Sequence, residues 1–248
     1  MGLDPTIIQL SDLYPKNVEG IRQFCLDIIG ATQFQSIAYK INMAFFEIFG
    51  KDFWKLYTDV RSAIPPNIPL ILDAKRGDIG HSSEYLAKYV FETCGADAVT
   101  VHPYMGFDSI EPFLKYTDKF TFILGHTSNI GSQDFQCLKL ADGSTLAAHM
   151  IHQADKWRHQ YKNVGVVIGA TQQTICDYRS KHPDLLFLMP GVGKQGAKYS
   201  ESYHNGKNTD QIALINASRA ISENTKSCKT REDFIVRCQE NVQTLLNC

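Results

Sequence analysis

Eight short, almost uninterrupted apolar runs recur along the chain, and most of the intervals between them have helical periodicity. The runs fall at 1–4, 36–42, 68–74, 98–103, 120–126, 164–170, 185–190 and 211–216. The clearest reads VGVVIGA. A strand with one wet face alternates apolar and polar residues, whereas a strand covered on both faces reads as continuous. The pattern therefore asks for a parallel sheet with helices on both sides. Eight strands alternating with helices over 248 residues fit a (β/α)8 TIM barrel, α/β in class and a single domain over 1–248. An open doubly wound sheet is the alternative. Only three residues precede Asp4, fewer than a barrel strand usually needs. The expectation is a first strand that is short or lacks part of its N-terminal end.

The helical intervals carry their own punctuation. Val18, Ile21, Phe24, Cys25 and Ile28 share a face, with Gly30 as a stop. Ser82 opens a second helix that runs to Cys94 before Gly95. Residues 144–161 form a further candidate. Thr230 with Asp233 resembles a capping box ahead of Phe234, Val236 and Leu245. Phe45, Phe46, Phe49, Phe53 and Trp54 have helical spacing and read as core.

Charge narrows the function classes. Lys plus Arg number 25 and Asp plus Glu 26, which excludes a broadly basic nucleic-acid or membrane surface but leaves room for a local cationic pocket. No run of about 18 apolar residues marks a membrane span, and the N-terminus lacks a signal peptide's basic and apolar regions. The 7 cysteines form no CxxC and no zinc-spaced cluster. Free thiols and a cytoplasmic setting follow as the expectation.

A barrel places its chemistry at the C-terminal strand ends. Asp4 ends the first strand, Lys40 lies in the second, and the third runs into LDAKRGDIG with Asp73, Lys75 and Asp78. Alternating charges beside a buried strand support one another where single ones would be costly. They suit either a catalytic cluster or a salt-bridge network tying the sheet. The fifth strand leads to GHTSNIGSQDFQ, a loop rich in hydrogen-bonding side chains. The seventh leads to MPGVGKQGAK, where Gln195 and Lys194 or Lys198 are placed to meet an anion. The eighth leads to INASRAI, where Arg219 opens a helix whose N–H groups suit a phosphate. His102 and His126 end strands and read as packing residues. His149, His152 and His159 lie on one helix without an acidic partner and read as surface.

With MGLDP, AYKINMAFFE, LDAKRGDIGHSS, GHTSN, MPGVGKQG and NASRAI in order over positions 1 to 221, the chain resembles the orotidine 5′-monophosphate decarboxylases. The run KRGDIG is similar to the bacterial-type subgroup. The resemblance implies decarboxylation of orotidine 5′-monophosphate to uridine 5′-monophosphate in pyrimidine synthesis, with no metal and no organic cofactor. It implies catalytic roles for Lys40, Asp73, Lys75 and Asp78. Asp4 would bind ribose hydroxyls and Ser128 the pyrimidine edge. Gln195, Arg219 and the N–H of Ser218 would hold the 5′-phosphate. It also implies a homodimer in which Asp78 and Ser82 enter the neighbouring site; Ser82 replaces the usual Thr and keeps the hydroxyl. No nucleic-acid or membrane partner is implied.

Three other readings compete. A magnesium-dependent sister enzyme acting on a sugar phosphate shares the D-x-K-x-x-D block, but the Ser128 and K-Q-G loops favour a nucleotide. A silent nucleotide-binding barrel has no need of four alternating charges. A Schiff-base aldolase wants a neutral lysine, which two neighbouring aspartates disfavour.

Overall fold

The computed structural model describes residues 1–193 and 197–247. The chain opens with β1 (Gly2–Leu3), α1 (Val18–Thr32), β2 (Tyr39–Asn42), α2 (Ala44–Glu47), α3 (Phe53–Ala63) and β3 (Leu70–Arg76). It continues through α4 (Gly80–Lys88), β4 (Ala98–Val101), α5 (Phe107–Leu114), β5 (Phe120–His126), α6 (Ser132–Phe135) and α7 (Leu146–Tyr161). The last elements are β6 (Val164–Ile168), α8 (Ile175–Lys181), β7 (Leu186–Pro190), α9 (Tyr199–Gly206), β8 (Leu214–Asn216) and α10 (Arg231–Leu246). The strands form one eight-stranded sheet in sequence order, β1 to β8. Neighbouring strands pair in parallel, β1 with β2, β2 with β3, and each successive pair from β4 to β8. This is the (β/α)8 barrel class read from the apolar runs, and all five residues of β6 are buried as that reading requires.

Two compact units divide the chain: Met1–Asp73 with the residues from Ala217 on, and Ala74–Asn216. In the first, the Gly2 N–H donates to the Ala217 carbonyl at 2.7 Å, so the segment leaving β8 is bonded to β1. Asn17 caps α1 by accepting from the Glu19 and Gly20 N–H groups at 3.0 and 3.1 Å. A Cβ at Gly20 would stand 1.8 Å from the Pro15 carbonyl oxygen, so only glycine fits that first turn. Ile21, Phe24, Cys25 and Ile28 are buried, as their spacing predicts. Gly30 does not stop the helix; α1 runs on to Thr32. Tyr14, Phe24 and Phe234 form an aromatic triangle with centroids 5.4–5.7 Å apart, which seats α10 on α1.

The aromatic run at 45–54 is only partly core. Phe46 is fully buried while Trp54 is 41% exposed. Gly50 at φ +54° separates α2 from α3, so the residues do not share one continuous helical face. The capping box at Thr230 forms as read: its hydroxyl accepts from the Asp233 N–H at 3.1 Å, and Asp233 accepts from the Thr230 N–H at 3.2 Å.

In the second unit, α4 begins at Gly80, two residues before Ser82, with Ile79 at the N-cap. Thr145 caps α7 through the Ala148 N–H at 3.1 Å, and Lys162 at φ +63° ends it. β8 is shorter than its apolar run because Gln211 takes φ +63°. After β8, residues 219–224 form turns, so Arg219 opens no helix. Asn224 at φ +58° then leads into a 3-10 turn at Thr225–Ser227. Among the described residues no helix is long and apolar enough to cross a membrane.

Candidate active site

The register of β1, β2 and β3 sets three charges at their C-terminal ends. Gly2 aligns with Lys40, and Asn42 with Asp73. Lys40 is 4% exposed. Its ammonium lies 2.8 Å from Asp73 Oδ2 and 3.8 Å from Asp4 Oδ1. A buried lysine is tolerated only with counter-charge. Here it has more than one carboxylate: two acidic groups share one ammonium. Asp4 Oδ1 is buried and has no hydrogen-bond donor among the described residues. The cluster is held together yet has an acceptor to spare.

Beyond Asp73 the chain enters the second unit, and β3 loses regular alternation. Lys75 sits at φ +45°, in the left-handed region that residues with a Cβ seldom occupy. Its N–H donates to Thr100 Oγ1 at 3.0 Å. The Arg76 carbonyl accepts from the His102 N–H at 3.0 Å. A Cβ at Gly77 would fall 2.1 Å from His102 Nε2, so the ring of His102 packs directly on the Gly77 backbone. The Lys75 side chain is exposed. Asp78 is half-buried, and its Oδ1 accepts from the Ile79 N–H at 2.8 Å. Ser82 is exposed on the first turn of α4, whereas Ser83 is buried and donates to the Ser109 carbonyl at 2.6 Å.

The loop after β5 hangs on Thr127. Its N–H donates to Gln136 Oε1 at 2.8 Å, and its hydroxyl accepts from Gln136 Nε2 at 2.8 Å. That hydroxyl donates to Asn129 Oδ1 at 2.6 Å, and the Thr127 carbonyl accepts from Gln172 Nε2 at 2.6 Å. Every polar atom of Thr127 is thus occupied, and Ser128, next in the chain, is presented exposed. Gly169 lacks the Cβ that would meet Ser128 Cβ at 2.7 Å, so the loop lies against the end of β6. His126 is 5% exposed and its Nδ1 is 3.0 Å from the Tyr178 hydroxyl. Burial holds its imidazole below the usual range, in the neutral form. It anchors the root of the loop, the packing role its sequence position suggested.

The exits of β7 and β8 are brought side by side by the pairing of Pro190 with Asn216. Gly191 and Gly193 take φ +107° and +84°, and the Gly193 N–H donates to the Ala197 carbonyl at 2.9 Å. Gln195 and Lys194 lie outside the described residues. Tyr203 donates to the Gln211 carbonyl at 2.9 Å and stacks on Tyr199, while Lys198 is exposed. Ser218 is half-buried and its carbonyl accepts from the Ile221 N–H at 3.0 Å; Arg219 is exposed.

Several supporting residues were not singled out in the sequence: Thr100, Gln136, Gln172 and Gly169. One faint signal existed, a threonine inside the apolar run AVTV. The glutamines lie 9 and 45 residues from Thr127 and leave no local trace.

Comparison with known proteins adds an independent line. The model for the orotidine 5′-phosphate decarboxylase / HUMPS family matches residues 1–231. Orotidine 5′-phosphate decarboxylase of Dehalococcoides mccartyi is 43% identical over 226 residues, covering 89% of this chain and 82% of that one. The structure of Leishmania donovani OMP decarboxylase superposes with a TM-score of 0.80 at 35% identity, over 99% of this chain and 92% of that one. The Leishmania donovani UMP synthase structure superposes with a TM-score of 0.82 at 37% identity over 97% of this chain; the chain spans 52% of that longer protein.

Proposed function

Because the chain belongs to the orotidine 5′-phosphate decarboxylase / HUMPS family, we propose that its strand-end charges remove the carboxylate of orotidine 5′-monophosphate as CO2, giving uridine 5′-monophosphate. The enzyme is a carboxy-lyase of pyrimidine biosynthesis. The observation that carries the mechanism is the buried Lys40 ammonium set 2.8 Å from Asp73 and 3.8 Å from Asp4, bridging two strand-end carboxylates.

Loss of CO2 from C6 of the pyrimidine leaves an electron pair that no adjacent carbonyl can delocalise. Stabilisation is then electrostatic, by charges fixed before the reaction begins. Asp73 stands where a substrate carboxylate is disfavoured and a neutral product is favoured. Two like charges about 4 Å apart interact by about 4 kcal/mol at an effective dielectric near 20, roughly a thousandfold in rate. Lys40 holds Asp73 in place. The Lys75 ammonium stabilises charge developing at C6 and delivers the proton that replaces CO2. Asp4 binds the ribose hydroxyls through its spare acceptor. Ser128, held forward by the Thr127 clamp, binds the pyrimidine edge. Gln195, the Ser218 N–H and Arg219 take the 5′-phosphate, and binding energy from that remote group goes into orienting the reacting carbon. The active unit is a homodimer in which Asp78 and Ser82 complete the neighbour's site. The reaction uses no metal and no organic cofactor, in the cytoplasm, with no nucleic-acid or membrane partner.

The deciding assay mixes the purified chain with orotidine 5′-monophosphate and follows the ultraviolet change with and without chelator. Turnover unaffected by chelator is expected. Absence of turnover overturns the reading, and turnover abolished by chelator moves it to a metal-dependent relative. For the dimer, Lys75→Ala and Asp78→Ala, each inactive alone, should regain activity after subunit exchange, because a mixed dimer contains one intact site. Two folded variants that fail to complement exclude Asp78 acting across subunits.

A further inference from the structure

We propose that Thr100 is a positioning residue for Lys75: its hydroxyl oxygen holds the lysine backbone in the left-handed conformation from which the ammonium is delivered. The inference rests on Lys75 being the proton donor.

Three observations converge on it. Lys75 is one of four non-glycine residues with positive φ among those described. The other three lie in connections outside the strands, where chain reversal accounts for them. Lys75 alone adopts it inside a strand, where regular pleating would otherwise set the side-chain direction. An L-residue stays in that region only when its surroundings over-determine it. The restraint is visible. The Lys75 N–H is tied to Thr100 Oγ1 at 3.0 Å, and the next carbonyl, that of Arg76, is tied to the His102 N–H at 3.0 Å.

Thr100 is itself out of keeping with its strand. The other residues of β4 are Ala98, Val99 and Val101, and all four positions are buried, Thr100 to 1% exposure. A valine would suit the strand and the packing equally well, being β-branched and of the same shape. A hydroxyl there costs desolvation unless it is bonded, and one bond it makes is to the backbone of the lysine. Without that acceptor the Lys75 N–H is left to find another partner. The backbone is then free to return toward the extended region, swinging the ammonium away from its place while the substrate-binding loops stay as they are.

The test is Thr100→Val, with Thr100→Ser as the conservative variant and Thr121→Val as control. Thr121 is also a fully buried strand threonine, but its hydroxyl has no hydrogen-bond partner among the described residues. Thr100→Val is expected to lower kcat about tenfold or more, the scale of one lost backbone-restraining hydrogen bond, with KM for orotidine 5′-monophosphate within about twofold. Thr100→Ser should restore most of kcat, and Thr121→Val should leave both constants unchanged. Unchanged kcat in Thr100→Val overturns the inference and leaves the decarboxylase reading intact. So does an equal kcat loss in Thr121→Val, or a Thr100→Val defect confined to KM. Full activity in Lys75→Ala overturns it together with the proton-donor role, and an inert parent protein overturns the decarboxylase reading itself.

Discussion

Two buried carboxylate clusters in the same compact unit are built to opposite plans. Asp27, on α1, is saturated. Arg231 at the start of α10 donates to both of its oxygens, Tyr14 donates to Oδ2 at 2.8 Å, and Gln23 donates to Oδ1 at 3.1 Å. The same contact raises the Tyr14 hydroxyl above its usual range, first through burial and then through Asp27. At the strand ends Lys40 is shared between Asp73 and Asp4, and one Asp4 oxygen has no donor among the described residues. A cluster with every lone pair taken fixes two helices and has nothing left to offer. A carboxylate oxygen with no donor, such as Asp4 Oδ1, keeps acceptor capacity that a bound molecule can meet. Burial and ionic character are common to both; satisfaction is what separates a tie from a site.

That contrast predicts a double dissociation. Asp73→Asn should lower kcat about a thousandfold, the size of the like-charge term at ~4 Å, while the thermal midpoint stays within a few degrees. Asp27→Asn should do the reverse. It breaks a buried pair whose arginine is half-exposed, so the expected loss is about 2–3 kcal/mol and a midpoint lower by roughly 5–10 °C, with kcat of the folded enzyme unchanged. Kinetics and calorimetry on the two variants decide the matter; parallel losses in both would erase the distinction. A smaller effect is expected from Asp4→Asn, about tenfold in KM with little change in kcat, since the spare acceptor serves binding rather than the reacting carbon.

The smallest effect concerns a buried group that belongs to neither cluster. Burial lowers the His126 pKa from its usual value near 6.5. Below about pH 6.5 the unfolded chain then binds more protons than the folded one, so stability falls as pH drops through this range and is flat above it. Denaturant titrations of the parent and of His126→Asn at pH 7.5 and 5.5 should show the slope shrink in the variant. An unchanged slope would mean that His126 contributes nothing to the acid sensitivity.

Much of this was written locally in the chain. Continuous apolar runs such as VGVVIGA fixed the strands because burial on both faces leaves no room for alternation. The Thr230–Asp233 box is a four-residue signal and formed where it stood. Misreadings arose where one local rule competed with another. Gly30 looked like a stop, yet its open surroundings and ordinary φ let α1 continue. The segment after β8 has the composition of a helix start but follows a series of turns. The aromatic run at 45–54 lost its common face to one glycine at φ +54°.

By itself the sequence determined the class of fold, the order of its strands and the residues at their ends, because each depends on periodicity or on position relative to an apolar run. Only the tertiary structure decided how those residues are held. Whether a carboxylate is saturated like Asp27 or short of donors like Asp4 depends on partners up to 204 residues away. That Lys75 takes a left-handed backbone depends on a hydroxyl 25 residues on. Hydrogen bonds are satisfied in space, and sequence separation does not encode the distance over which a donor finds its acceptor.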